Sequence, residues 1–482
     1  MSKGEDRVIY NPPFNEWRGL LSKNLALIEK FPESVTARRG EFRRVLLEQS
    51  RRYEEELRTI ASERGLSFAA RPPHPGPDGS SIIMAGHQPV NFHAGLIQKV
   101  NTLCRIAEET DSLALHVIID TDEGLGGEIA FPLLRNGVYF VSSVALAEGP
   151  ALFLEQTISS ESKQAVLIEQ VRSALKLCRL EQALFGLARY AEVMAKLAGC
   201  RLSHAASISR RIFSDPSNYS EVPLSYLIGT SAIRGLFLDL VRTDTDLHQI
   251  YNRVLEEYRV SHKIKNRANP FPNLTVRGKS LELPFWVIPG SGRRAPLFTG
   301  DKIPESALVA PKGAITTLLL RYFVADLFIH GLGGERYDTF TDILAQQLLT
   351  AETLSFGVTS ATRYLFEEQI ESYEEALRWK ERLRSASSHL QEFLGMGYFS
   401  RENEVSLQEL ADSREALVNA LEDAKRSKLD PTPIGKKLAE LNQRIRTILQ
   451  SSDLEEKAAG AEVDRQTLDL WYFREFPHFL LE

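Results

Sequence analysis

Cysteine is scarce in this chain: Cys104, Cys178 and Cys200 are the only ones in 482 residues. An odd number with no CxxC spacing supports neither a disulfide framework nor a thiolate zinc site, and fits a reducing compartment. Long apolar runs are missing too. No stretch is long enough to span a bilayer, and MSKGEDRVIYNPPFNEW has no apolar signal core, so a cytoplasmic protein without a membrane partner is expected. Positive charge is not in excess, because 58 Lys and Arg stand against 64 Asp and Glu. That balance argues against nucleic acid as a partner, which would call for a basic face. P-loop, GxGxxG, GxSxG and HExxH signatures are all absent. Small molecules are the ligands that remain.

What is present centres on Ser80 to Glu128, SSIIMAGHQPVNFHAGLIQKVNTLCRIAEETDSLALHVIIDTDEGLGGE. Ile82 to Ala85 and Leu113 to Ile119 are strand-length apolar runs, the second broken only by His116. Between them Leu96, Val100, Leu103, Ile106 and Ala107 share one helical face. Strand, turn, helix and strand make a parallel βαβ unit, and such units bind ligands at the carboxyl edge of the sheet. The chemistry-bearing residues gather there: Gly86, His87, Gln88, Asn91, His93 and Gly95 after the first strand, and Asp120, Asp122 and Glu123 after the second.

The rest of the chain divides around this unit. Residues 1–80 read as a helical arm (Asn15 to Arg64) and a proline-rich linker (Arg71 to Gly79), since proline cannot continue a helix. Residues 81–150 hold the first half of the sheet domain, with a further strand expected over Gly137 to Leu146. Residues 151–268 read as a mostly helical insertion. Residues 269–363 combine a β insertion, reversing at Pro289-Gly290-Ser291-Gly292, with the second half of the sheet. There a strand runs into the glycine-rich turn His330-Gly331-Leu332-Gly333-Gly334-Glu335. Residues 364–482 form an antiparallel coiled-coil hairpin. Ile434, Leu438, Leu441, Ile445 and Ile448 make a heptad seam, and Asp430-Pro431-Thr432-Pro433 breaks it from an upstream stripe. The aromatic tail Leu468 to Leu481 is expected to dock on the body or on a partner.

The histidines suit donation to an anion, or proton movement, at neutral pH, beside the free amides of a helix N-terminus. Lys99, six residues after His93, is either a site cation or a surface lysine. The acids either hold a divalent cation, orient substrate amino and hydroxyl groups, or act as acid and base. Three acids after one strand also call for a compensating cation. Gly333 and Gly334 suggest close backbone approach to a ligand, with His330, Glu335, Asp338 and Asp342 nearby. Lys312 and Arg321 flank the helix before them as candidate cleft cations.

In this order the GHQP turn, HAGLIQK, DTDEG, LELPFWV, HGLGGERYDTFTD and the terminal hairpin resemble the cysteine-adding enzymes of bacillithiol biosynthesis, the BshC family. The resemblance spans most of the chain by order of elements, but identity is confined to short motifs. His87 stands where that family has glutamine. The resemblance implies a Rossmann-like parallel sheet core, a coiled coil that forms a homodimer, and a carbon–nitrogen ligase joining cysteine or a related amine to a small amino-sugar conjugate. His87 to Lys99, Asp120 to Glu128 and Gly333 to Glu335 match its motifs; from the chemistry of the residues themselves, catalytic roles are expected for His87, His93, Asp120, Asp122 and Glu123. Substrate binding falls to Gly86, Gln88, Asn91, Gly95, Lys99, His330, Gly333, Gly334, Glu335 and Asp338, with no metal. The cofactor stays open, with ATP or ADP as the candidate. Two alternatives are a metal-dependent nucleotidyl- or glycosyltransferase using Asp120 and Asp122, and a non-catalytic coiled-coil assembly protein.

Overall fold

Six strands form the central sheet: β1 (Val8–Asn11), β2 (Ile82–His87), β3 (Leu113–Ile118), β4 (Ser220–Pro223), β5 (Leu327–His330) and β6 (Phe356–Ala361). The computed structural model describes residues 8–68, 80–213, 218–243, 246–290, 293–386, 389–450 and 453–482. The expected linker Arg71 to Gly79 and the Ser291-Gly292 part of the reversal lie outside these residues. The strand order is β1-β6-β5-β2-β3-β4, with every pair parallel except β1 with β6. The chain is therefore an α/β protein with a Rossmann-like, mainly parallel sheet, helical regions and a C-terminal helical hairpin. No helix among the described residues is long and apolar enough to cross a membrane.

Two helices leave the sheet for opposite faces, and this sets the candidate position of a ligand site. Helix α1 (Ala94–Glu109) follows β2. It buries Leu96, Val100, Leu103, Ile106 and Ala107 with Ile83, Ala85, Leu327 and Ile329. Helix α2 (Leu332–Leu349) follows β5, and its Phe340, Leu344 and Ala345 join Ile82, Met84, Leu115, Val117 and Phe328 on the other face. Connections diverge between the neighbouring strands β2 and β5, the switch point at whose carboxyl ends open α/β folds form their ligand crevice.

Two expectations need correction. Val138–Ala145 is a strand, but it pairs with Glu128–Arg135 in a separate hairpin and adds nothing to the parallel sheet. The 151–268 region carries helices at Glu161–Leu177, Ala183–Lys196 and Leu202–Phe213, yet it also contributes β4 to the sheet edge. The β insertion is a four-stranded sheet of Val276–Arg277, Ser280–Ile288, Ala295–Phe298 and Leu308–Pro311.

Contacts divide the chain into two units, one of residues 1–134, 141–365 and 474–482, the other of 135–140 and 366–473. In the second, helix Arg401–Arg426 returns as Thr432–Gln450. Leu407, Leu410, Ile445 and Leu449 are buried with Trp379 and Phe393 at one end of this hairpin. Leu417, Leu421, Ile434, Leu438 and Leu441, further along the seam, are only half-buried.

At the amino edge of the sheet Asp326 is a buried anchor. Its carboxylate accepts from Arg39 Nη2 at 2.5 Å, from Arg43 Nη1 at 3.1 Å and from the Ile82 amide at 2.7 Å. Removing it strands the buried Arg39 charge. Asp326→Ala is expected to cost about 3–5 kcal/mol, read from urea unfolding midpoints; an unchanged midpoint would show that Arg39 finds another partner.

Candidate functional site

The crevice is built from the ends of β2 and β5 and the starts of α1 and α2. His87 closes β2, half-buried, with its ring edge-on to Phe92 at 5.7 Å between centroids. His93 is the N-cap of α1, where its Nδ1 accepts from the Gly95 amide at 3.1 Å. The neutral ring therefore carries its proton on Nε2. Behind this turn Lys99 is buried, with 4% of its surface exposed, and its Nζ donates to the Gly86 carbonyl at 2.8 Å. It is not a surface lysine. Burial, and then the nearby Arg210, bring its pKa down to about 8, so the ammonium still prevails at pH 7.

Burial, with Lys99 next in order, holds His87 well below the usual imidazole range. His93 is lowered by burial, and Glu475 opposes that shift. His330 at the end of β5 is lowered by burial as well, against the pull of Asp338. The three rings are neutral at pH 7. The Nε2 of His330 stands 2.7 Å from Asp338 Oδ2, which lies 2.8 Å from Arg321 Nη1. Arg321 is buried and also meets Asp342 at 2.8 Å.

Gly333 and Gly334, expected in a glycine-rich turn after the strand, lie in the first turn of α2. Gly334 is required by a neighbour within the protein, because a Cβ there would stand 2.7 Å from His330 Nδ1. Gly333 meets nothing within 4 Å. Glu335 is turned to Asn11, whose Nδ2 donates to it at 2.7 Å.

The acids share the carboxyl edge with His87 and the start of α2, but their oxygens are engaged. Asp120, 2% exposed, accepts from the Ser225 amide at 2.9 Å and from the Ser225 hydroxyl. Asp122 accepts from Gln88 Nε2 at 2.9 Å and from Arg294 Nη1 at 3.0 Å, and Glu123 lies 3.7 Å from Arg294 Nε. The compensating cation is thus Arg294, carried in by the β insertion and lying over Trp286. Lys312 lies over the same indole and pairs with Glu282. Among the described residues no group of three or more His, Cys, Asp or Glu side chains is placed to hold a metal ion.

Sequence reasoning missed Ser225, Arg294 and Tyr190. Tyr190 donates to Asn91 Oδ1 at 2.9 Å, while Asn91 Nδ2 donates to the Glu128 carbonyl at 2.8 Å. Only Arg294 had a signal, as a cation owed to the acids. It missed also the network under the turn, where His116 and Glu221 face each other across β3 and β4 and Glu221 binds Arg210. Arg210 in turn lies over the Phe92 ring at 4.1 Å.

No protein-family model matches the chain, and no curated protein matches it. The fold and this edge together define an open α/β protein with a buried cation, Lys99, behind its topological switch point.

Burial pushes Asp120 up to about 6 from an ordinary 3.8, despite the Ser225 hydrogen bonds. Between those values the folded chain holds a proton that the unfolded chain has lost, so Asp120 lowers stability as pH rises from about 4 to about 6. Asp120→Asn should remove on the order of 3 kcal/mol of that fall. Urea midpoints at the two ends of this window test it, and parallel curves for both proteins would place the titration elsewhere.

Proposed function

We propose that the crevice binds the anionic group of a small substrate, and that the chain is a BshC-like ligase or transferase acting on an amino acid or related amine and a small amino-sugar conjugate. The observation that carries this reading is Lys99. The other buried cations, Arg39, Arg210, Arg259 and Arg321, each have a carboxylate within ion-pair distance. Lys99 has a single carbonyl, among the described residues. A buried ammonium without a counter-charge is costly, and a ligand anion lowers that cost. Helix α2 begins there without a side-chain cap, and helix N-termini favour negative charge. His87 and the Nε2–H of His93 supply neutral donors. ATP or ADP remains the candidate cofactor. The engagement of Asp120 by Ser225, and of Asp122 by Gln88 and Arg294, weighs against the cation-dependent transferase reading.

Sulfate keeps its charge across the relevant pH range and serves as the titrant. Calorimetry should detect sulfate binding that survives EDTA. Lys99→Met and His87→Ala should each weaken it by about 1.5–3 kcal/mol, the worth of a hydrogen bond to a charged group. Affinity should fall as pH rises through about 8, where free Lys99 loses its proton. A strict metal requirement would move the assignment to the transferase, and ligand binding without turnover to the assembly protein.

The same reading gives the helical hairpin a second copy of the chain as its partner, since Leu417, Leu421, Ile434, Leu438 and Leu441 stay half-covered along a heptad seam. Sedimentation should find a dimer for the unaltered chain and a monomer for the Leu417→Glu, Leu438→Glu double variant. Equal mass for both would refute that pairing.

A further inference from the structure

We infer that the segment Arg474–Glu482 is a strap that holds the anion-binding turn in shape, and that Tyr190 and Phe479 are positioning residues for the crevice. This rests on the anion reading above for its functional part only. The turn from Gln88 to His93 has no regular structure of its own and is held from outside: besides the bonds of Gln88 to Asp122 and of Asn91 to the Glu128 carbonyl, two neighbouring residues are tied to the strap and its seat. Asn91 is fixed by the Tyr190 hydroxyl at 2.9 Å, and the Phe92 carbonyl accepts from the His478 amide at 2.8 Å. The two holds are joined, because the Phe479 ring stacks on the Tyr190 ring at 3.9 Å and 9°. Phe476, Phe479 and Leu480 are all buried. Phe92, the residue so held, carries the edge contact to His87 and precedes the cap His93.

Gly186 gives a separate indication that this seat is built. It lies within helix Ala183–Lys196, where glycine is the poorest helix former after proline. A Cβ at that position would stand 1.6 Å from the Phe479 carbonyl oxygen. The helix therefore keeps an unfavourable residue where the strap crosses it. Three residues on, Arg189 Nη1 meets Glu482 Oε2 at 2.6 Å.

The test uses the full chain with Gly186→Ala, Tyr190→Phe, Phe479→Ala and Phe479→Tyr, hydrogen exchange over residues 88–94, and sulfate titration. Gly186→Ala, Tyr190→Phe and Phe479→Ala are expected to speed exchange in the turn at least about tenfold, leave β3 protected, and weaken sulfate about tenfold. Phe479→Tyr keeps the ring and should behave as the unaltered protein. Exchange at the turn unchanged in Gly186→Ala and Tyr190→Phe would overturn the strap. Should Phe479→Ala fail to fold, Tyr190→Phe decides, because it removes one hydroxyl and leaves the stack. A loosened turn in a chain that binds no sulfate even when unaltered would leave the strap standing and sink the anion reading instead. A loosened turn with sulfate affinity unchanged would overturn the positioning role.

Discussion

A buried ammonium with no carboxylate partner among the described residues is the constraint on the carboxyl edge. Placing Lys99 behind the turn costs desolvation free energy that one carbonyl does not return in full. The protein shows elsewhere how it neutralises such groups. Arg321 has Asp338 and Asp342, Arg39 has Asp326, and Arg211 has Glu54 and Glu221. Next to Lys99 stands Arg210, whose own carboxylate, Glu221, is shared with Arg211 and His116. The field under the turn is therefore positive on balance, and the neutral histidines above it add donors without adding charge.

Much of the fold could be read from periodicity and from where it stops. The two apolar runs bounding α1, the strand before His330, the last strand after Ser355 and the terminal hairpin all announce themselves by burial pattern or by proline and glycine breaks. β4 did not. Its four residues, Ser220 to Pro223, include a charged glutamate that looks out of place in a strand until His116 and Arg210 are brought beside it. That pairing is tertiary, and no local propensity encodes it. β1 escaped for a similar reason, as a short antiparallel edge strand with alternating half-buried residues.

The candidate site was legible in position and less so in role. His87, Asp120 and the start of α2 do share one edge, which follows from parallel strands alone. Residue type could not say which groups face a ligand. Gly333 and Gly334 suggested backbone approach to a substrate, whereas the Gly334 requirement comes from His330. Lys99 looked ambiguous because a lysine at a helical position carries no mark of burial until the sheet is laid against it.

The acids show how carboxylates can set the geometry of an edge through bonds within the protein. Asp122 takes hydrogen bonds from Gln88, on the turn after β2, and from Arg294, on the β insertion. Asp120 fixes Ser225 at the end of β4. Two carboxylates thus fasten the second turn of the βαβ unit to three separate segments. Arg294 is shared by Asp122 and Glu123, so it offsets part of the negative charge of these two acids locally. Through this pairing the acids give the loops their geometry.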